Sequence, residues 1–453
     1  MHAGEGAWKY SPCCTTAMPA AILGLLPAMT RLSSATFTAN SRVSSQSFFC
    51  LLALLATGVA LQINGYSTLR ALLFLGLSVL LCAAALRCPR VALELPAMSP
   101  LLIRRMFLCA LFTYLILNLL VLRFRHHEPI DVILWEEDSA HTLLHGGDPY
   151  GRAVTHVDVN PPELHLYPGI AANGVVHVGF TYPPLALLWV IPSYLAGDVR
   201  YSSLLAVGLA GILMFYLAPN VNGLLASLLI LFVPQTSYVL RYGYTDPLVV
   251  VTLALTIGCA LKAPRWLPFA LGLFFASKQY TIVTAPLAAV LLTRFSWKRY
   301  FLLMSKAGAI VIATLLPFAL WDPVGLWFGL VGFHMTVPLR ADALTVTALL
   351  ATHGLRAVPG WFAGLTVLSA IGFALKYSSR TPAGFAISVA LVTLVAFMFS
   401  KQAFAGYYFY CAGALCLGLA ASDFDSASMP VFGLVRLPSA GIDDELEGVR
   451  KVS

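Results

Sequence analysis

Charge is what this chain has least of. Only 11% of its 453 residues are Asp, Glu, Lys or Arg, while 59% are hydrophobic. A soluble chain of this length covers its core with polar side chains, and too few are present to do so. Mean hydropathy is +0.82, and apolar runs close to bilayer length recur along almost the whole chain. The short alternating segments that build a transmembrane β-barrel are missing. No segment interleaves basic and aromatic residues, so nucleic acid is not an expected partner. The formal charge of +8 reads instead as a determinant of membrane topology. No internal repeat of fixed period is visible. None of the nine cysteines lies between residues 123 and 180, the longest polar stretch. A disulfide framework or Cys-ligated zinc is not expected there, and the cysteines read as small apolar packing residues. What remains is an all-α polytopic membrane protein with lipids as its main solvent.

Thirteen apolar runs are placed as spans, near 48–64, 68–86, 106–122, 182–197, 202–218, 221–237, 245–262, 266–277, 279–293, 301–320, 360–376, 383–399 and 405–421. Between Tyr201 and Thr245 an odd number of crossings is required but two runs are counted, so about 12–13 spans are expected, with one re-entrant or interfacial. Residues 1–45 read as a disordered or targeting N-terminus, 46–105 as two additional N-terminal spans, 106–421 as the main transmembrane module and 422–453 as a cytoplasmic tail. Arg31, Arg42, Arg87, Arg90, Arg104 and Arg105 are set in the cytoplasm by the positive-inside rule. Residues 123–180, a segment near 238–245, residues around 278–280, the loop 320–359 and residues 400–406 then gather on the far side.

The chemistry concentrates in that far-side set. "DVILWEEDSAHTLLHGGDPYG" holds four carboxylates in the eight residues from Asp131 to Asp138. Its spacing predicts a surface helix after the third span, with Asp131, Trp135, Asp138, Thr142 and His145 near one face. Gly146 and Gly147 end it, and Asp148-Pro149-Tyr150 turns the chain. Asp131 reads either as the cap of this helix or as a carboxylate whose basicity is raised at the membrane boundary. Glu136 and Glu137 read as a solvated face. His141 and His145, with Glu137 a turn back, offer a divalent-metal face, but the HExxH pattern is absent and no metal or other cofactor is expected.

The order Asp131, Trp135, Ala140, Leu143-Leu144, Gly146 and "DPY" (148–150), followed by "GFTYPPLALLWVIP" (179–192), resembles the polyprenol-phosphate-mannose-dependent mannosyltransferase-like family. That family belongs to the C-type multi-spanning glycosyltransferases. "RYGYTDPLVV" (241–250), "FFASKQYTIVTAPL" (274–287) and "SKQAFAGYYFY" (400–410) resemble its later far-side segments. Trp135 departs from the usual Tyr, and "GYTDP" stands where "GQxN" is common.

The resemblance implies a C-type helical bundle in the plasma (inner) membrane. It also implies a hexosyltransferase that uses a polyprenyl-phosphate sugar on the extracytoplasmic face. The acceptor would be a hydroxyl of a glycan, glycolipid or protein. By match to the family's first far-side Asp, Asp131 is the expected base, with Asp138 its understudy. The departing phosphate needs cations; Lys278, Lys401, Arg241, Arg123 and Arg125 are the candidates, with Arg340 beside them. Each could equally snorkel into headgroups. Trp135, Tyr150, Tyr182, Gln279, Tyr280, Gln402 and Tyr407 are candidates to bind the sugar, while Tyr182-Pro183-Pro184 also reads as a helix start. His334 and Asp322 stand in the loop that would line an acceptor site. The competing functions are a transporter or lipid-linked-sugar flippase, and a non-catalytic scaffold. Transporters place charge near the bilayer midplane, often within repeated halves.

Overall fold

The structure, a computed structural model, describes residues 42–63, 67–87, 92–94, 98–124, 130–151, 171–172, 175–176 and 178–422. These all lie in one compact unit, Asn40–Ser453. The expected N-terminal leader and C-terminal tail fall almost wholly outside the described residues, as does Arg125.

Every apolar run seen in the sequence folds as a helix. In order these are α1 (Ser45–Ile63), α2 (Thr68–Arg87), α3 (Pro100–Phe124), the predicted polar helix α4 (Asp131–Leu144), α5 (Pro184–Leu195), α6 (Tyr201–Leu217), α7 (Val221–Phe232), α8 (Pro234–Arg241), α9 (Asp246–Lys262) and α10 (Leu267–Ser277). A 3₁₀ helix (Gln279–Leu291) follows, then α11 (Trp297–Trp321), α12 (Pro323–Trp327), α13 (Phe333–Thr336), α14 (Val346–Thr352), α15 (Gly360–Tyr377), α16 (Pro382–Phe399) and α17 (Ala405–Ala420). The described residues also include two short antiparallel pairs: β1 (Arg42–Ser44) with β2 (Ala92–Glu94), and β3 (Ala171–Ala172) with β4 (Val175–Val176).

Among the described residues six helices are long and apolar enough to cross a bilayer, or seven if α7 and α8, bent by 46°, form one broken span. The sequence had suggested 12–13. The difference is one of length: many of the other apolar helices stop at 11–17 residues, because caps and prolines punctuate the runs. Asn220 caps α7 through Asn222 N and Gly223 N, and Pro234 starts α8. Between Tyr201 and Thr245, where two runs are counted, the chain folds as three helices, α6, α7 and the eight-residue α8.

Burial sorts the long helices. The apolar window of α16 is 83% buried, whereas those of α11 and α15 are 17% and 11% buried. The outer helices present Leu73, Leu80, Phe112, Leu320 and Leu368 to the surroundings, as lipid-facing side chains should. Inside, close approach replaces hydrophobic driving force. A Cβ on Gly272 would collide with Ala307 O and Ile310, and one on Gly413 with Val250. Thr57 and Ser78 hydrogen bond at 2.8 Å between α1 and α2. The chain is a multi-pass helical membrane protein.

Candidate functional site

The five predicted far-side segments meet at one cavity of about 270 Å³. α4 contributes Asp131, Val132 and Trp135. The "FTYPP" segment contributes Tyr182. α8 brings Tyr238, and its connection to α9 brings Tyr242 and Tyr244. Lys278 comes from the break after α10. The α13–α14 region supplies Phe333, His334, Arg340, Asp342 and Leu344, and the start of α17 supplies Gln402, Phe404, Ala405 and Tyr407. Eight of the eighteen lining residues are Phe, Tyr or Trp, and the wall carries charges of both signs.

Local sequence explains how these groups are held. Pro183 precedes α5 and Pro184 opens it, which stops the chain at Tyr182 on the cavity wall. Asp131 begins α4, and its Oδ1 accepts a hydrogen bond from Val132 N at 2.8 Å. It is half-buried and on the wall; it is the first helical residue, while Ile130 holds the cap position and no side chain caps α4, so the capping expectation is not met. Trp135, one turn on, is 4% exposed and meets Phe333 edge to face at 5.3 Å. Its indole Nε1 has no hydrogen-bond partner among the described residues, an unusual condition for a buried donor.

Lys278 is held more tightly than the sequence suggested. Its Nζ lies 3.0 Å from Asp246 Oδ1, with both side chains buried. The ammonium also faces the rings of Tyr182, Tyr280 and Tyr407 at 5.1–5.3 Å. Tyr280 OH donates to the same Asp246 Oδ1 at 2.5 Å. Sequence reading missed Asp246. The signal was there, because a carboxylate opening a long apolar run is costly without a partner, but nothing in the run names the partner.

The other candidates divide. Gln402 and Tyr407 line the cavity, Gln402 with Nε2 donating to Pro338 O at 2.9 Å. Gln279 Nε2 donates to Thr181 O at 2.8 Å and lies 2.6 Å from His334 Nε2. Burial holds the His334 imidazole below its ordinary value, with the Lys278 charge acting the same way against the Thr181 hydrogen bond. Arg340 pairs with Asp342 at 2.6 Å and lies over the Phe404 ring at 4.5 Å. Tyr280 sits behind the wall as a partner of Asp246.

Several expectations need correction. Tyr150 does not reach the cavity. It is 2% exposed and its OH donates to Tyr182 O at 2.8 Å, so it fastens the "DPY" turn to the "FTYPP" segment. Asp138 is buried and off the cavity wall, because seven residues along α4 carry it away from the mouth. Lys401 is exposed, with Nζ donating to Met335 O at 3.4 Å. Arg241 stacks on Tyr242 at 5.3 Å, outside the wall that Tyr242 itself lines. Arg123 is exposed in the last turn of α3. The His141 and His145 rings stack at 4.1 Å, and among the described residues no three His, Cys, Asp or Glu side chains come together as a metal site. Asp322 caps α12 through Val324 N and Gly325 N.

Glu136, expected in solvent, is 2% exposed, while Glu137 is exposed. Burial first, then the Glu137 charge, push the Glu136 carboxyl well above the usual carboxylate range, against the opposing pull of Lys278. The folded chain therefore keeps a proton that the unfolded chain releases. That contribution to stability is whole below the unfolded value of about 4.3 and is lost as pH rises through the folded one. Glu136→Gln carries the neutral form permanently. Its thermal midpoint, followed by scanning unfolding, is expected to fall less between about pH 5 and 9 than that of the parent. Parallel curves would remove Glu136 as a source of the dependence.

No protein family matches the chain, and neither does any curated protein. Among solved structures, the crystal structure of ArnT from Cupriavidus metallidurans bound to undecaprenyl phosphate is similar, with a TM-score of 0.46 and 16% identity. The match covers 71% of this chain and 60% of that one. A likeness of that extent assigns neither residues nor a reaction.

Proposed function

We propose that this protein is an integral-membrane glycosyltransferase of the C-type kind. It moves a hexose, mannose-like by the sequence resemblance, from a polyprenyl phosphate to an acceptor hydroxyl. The reaction is placed on the extracytoplasmic face of the plasma (inner) membrane, and the acceptor is a glycan, glycolipid or protein. The observation that carries this reading is one aromatic-walled cavity lined by the Asp131 carboxylate together with the Lys278 and Arg340 cations. A glycosyl transfer needs these two kinds of group in one place.

The acceptor oxygen attacks the anomeric carbon, and the bond from that carbon to the phosphate oxygen breaks. The electron pair leaves with polyprenyl phosphate, and the hydroxyl proton passes to Asp131. Lys278 and Arg340 offset the charge that grows on the phosphate. Trp135, Tyr182, Tyr407 and Gln402 present faces and amides suited to a sugar. Asp131 is thus the proposed base. Lys401, Arg241 and Arg123, being off the wall, are left as membrane-boundary cations. No step is assigned to a metal.

Purified protein incubated with a panel of polyprenyl-phosphate sugars and candidate acceptors should release polyprenyl phosphate and form a glycoside, both detected by mass spectrometry. Absence of turnover with every donor, from protein shown to be folded, would sink the transferase reading.

A further inference from the structure

The pair formed by Asp246 and Lys278 is expensive. Two opposite charges are withdrawn from water, 0% and 5% exposed at the side chain, and such a pair is often no more stabilising than apolar residues of the same volume. The surroundings are arranged around it. Asp246 lies in the first turn of α9, where the helix dipole favours an anion. Its Oδ1 takes both Lys278 Nζ and Tyr280 OH, while its Oδ2 has no hydrogen-bond partner among the described residues. A Cβ on Gly406 would press on that oxygen, so a glycine is needed there for the carboxylate to keep its place. Lys278 lies on the cavity wall and Asp246 does not.

We propose that Asp246 is a positioning residue. It holds the Lys278 ammonium at the cavity wall, inside the ring of Tyr182, Tyr280 and Tyr407, as the seat for the phosphate of an isoprenoid monophosphate. The identity of that ligand rests on the transferase reading; the geometry of the seat does not. A phosphate entering from the cavity meets the ammonium before the carboxylate. Coulomb energy falls with distance, so the nearer, attractive charge prevails. The three tyrosine rings replace water on the remaining sides of the ammonium without competing for the anion.

The test is a binding titration of the full chain in detergent, followed by intrinsic fluorescence, with polyprenyl monophosphate as probe and the matching polyprenyl alcohol as control. Wild-type protein should bind the phosphate more tightly than the alcohol. Lys278→Met and Asp246→Asn should each weaken phosphate binding by about tenfold to a hundredfold and leave alcohol binding unchanged. The double variant Asp246→Asn/Lys278→Met should be no weaker than either single, because the two residues act as one unit. A merely structural pair would move phosphate and alcohol binding together. If a single variant fails to fold through its unpaired buried charge, the double variant, which buries none, gives the same comparison. Equal binding of phosphate and alcohol by the wild type overturns the proposal. So does wild-type phosphate affinity in folded Asp246→Asn or in the double variant. Phosphate binding that shows these losses without any sugar transfer would leave the seat standing and remove the transferase reading.

Discussion

Replacing Asp131 with Asn is expected to lower kcat about 1,000-fold while leaving the amount of folded protein unchanged. The two halves of that expectation come from different atoms. The amide oxygen of Asn can still accept the Val132 N–H bond that Asp131 Oδ1 accepts at 2.8 Å, so the start of α4 is preserved. The amide cannot take the acceptor's proton, and a positioned base is worth about 10²–10⁴ in rate, or roughly 3–5 kcal/mol of barrier. Asp138→Asn is the contrast. Its carboxylate lies on the same helix but off the cavity wall, so kcat per folded molecule should stay within the same order of magnitude. Initial rates with the donor that responds, normalised to folded protein, separate the outcomes. Transfer at the parental rate by Asp131→Asn would remove it as the base; a scaffold or flippase has no such dependence to lose.

The second large effect is steric and lies just outside the cavity. Gly179→Ala would put a methyl group 2.5 Å from Gly151 O and 2.7–2.8 Å from the carbonyl of Tyr150. These are backbone atoms at the crossing where Phe180 N donates to Pro149 O at 2.8 Å, so no side chain can swing aside. Overpacking of flexible cores costs about 1–3 kcal/mol, and a rigid crossing should lie at or above the top of that range. Displacing Tyr150 also loosens its hold on Tyr182 O, which places a cavity residue. The expected result is a clearly lowered thermal midpoint together with lost transfer. Gly308→Ala on α11 is the control, since nothing lies within 4 Å of its would-be Cβ. It should be neutral or stabilising by about 0.5–1 kcal/mol. Equal behaviour of the two variants would count against a tight crossing.

The "DPY" and "FTYPP" stretches show how far the sequence could be read. Their order in the chain carried the family resemblance, and they touch in the fold. Yet the sequence offers Tyr150 as a substrate ligand, because a tyrosine near a cluster of carboxylates looks the same in sequence whether its hydroxyl faces a cavity or a neighbouring carbonyl. Glu136 makes the same point in reverse. Its charged neighbours suggested solvent, but α4 lies against other elements and buries that side. Arg340 is legible in the sequence as a candidate cation and His334 as a candidate acceptor-site residue; that both meet Asp131 and Lys278 on one wall is not.

The sequence by itself determined that the chain is a bundle of membrane helices and which five connections contribute to one cavity. Those properties follow from hydropathy, proline position and capping, all local along the chain. Only the tertiary structure decided that Asp246 faces Lys278, that Tyr150 is a fastener, and that Asp131 rather than Asp138 reaches the cavity. Each of those depends on which side of a helix meets which distant segment, and a buried charge finds its partner through space, across 32 residues in the case of Asp246 and Lys278.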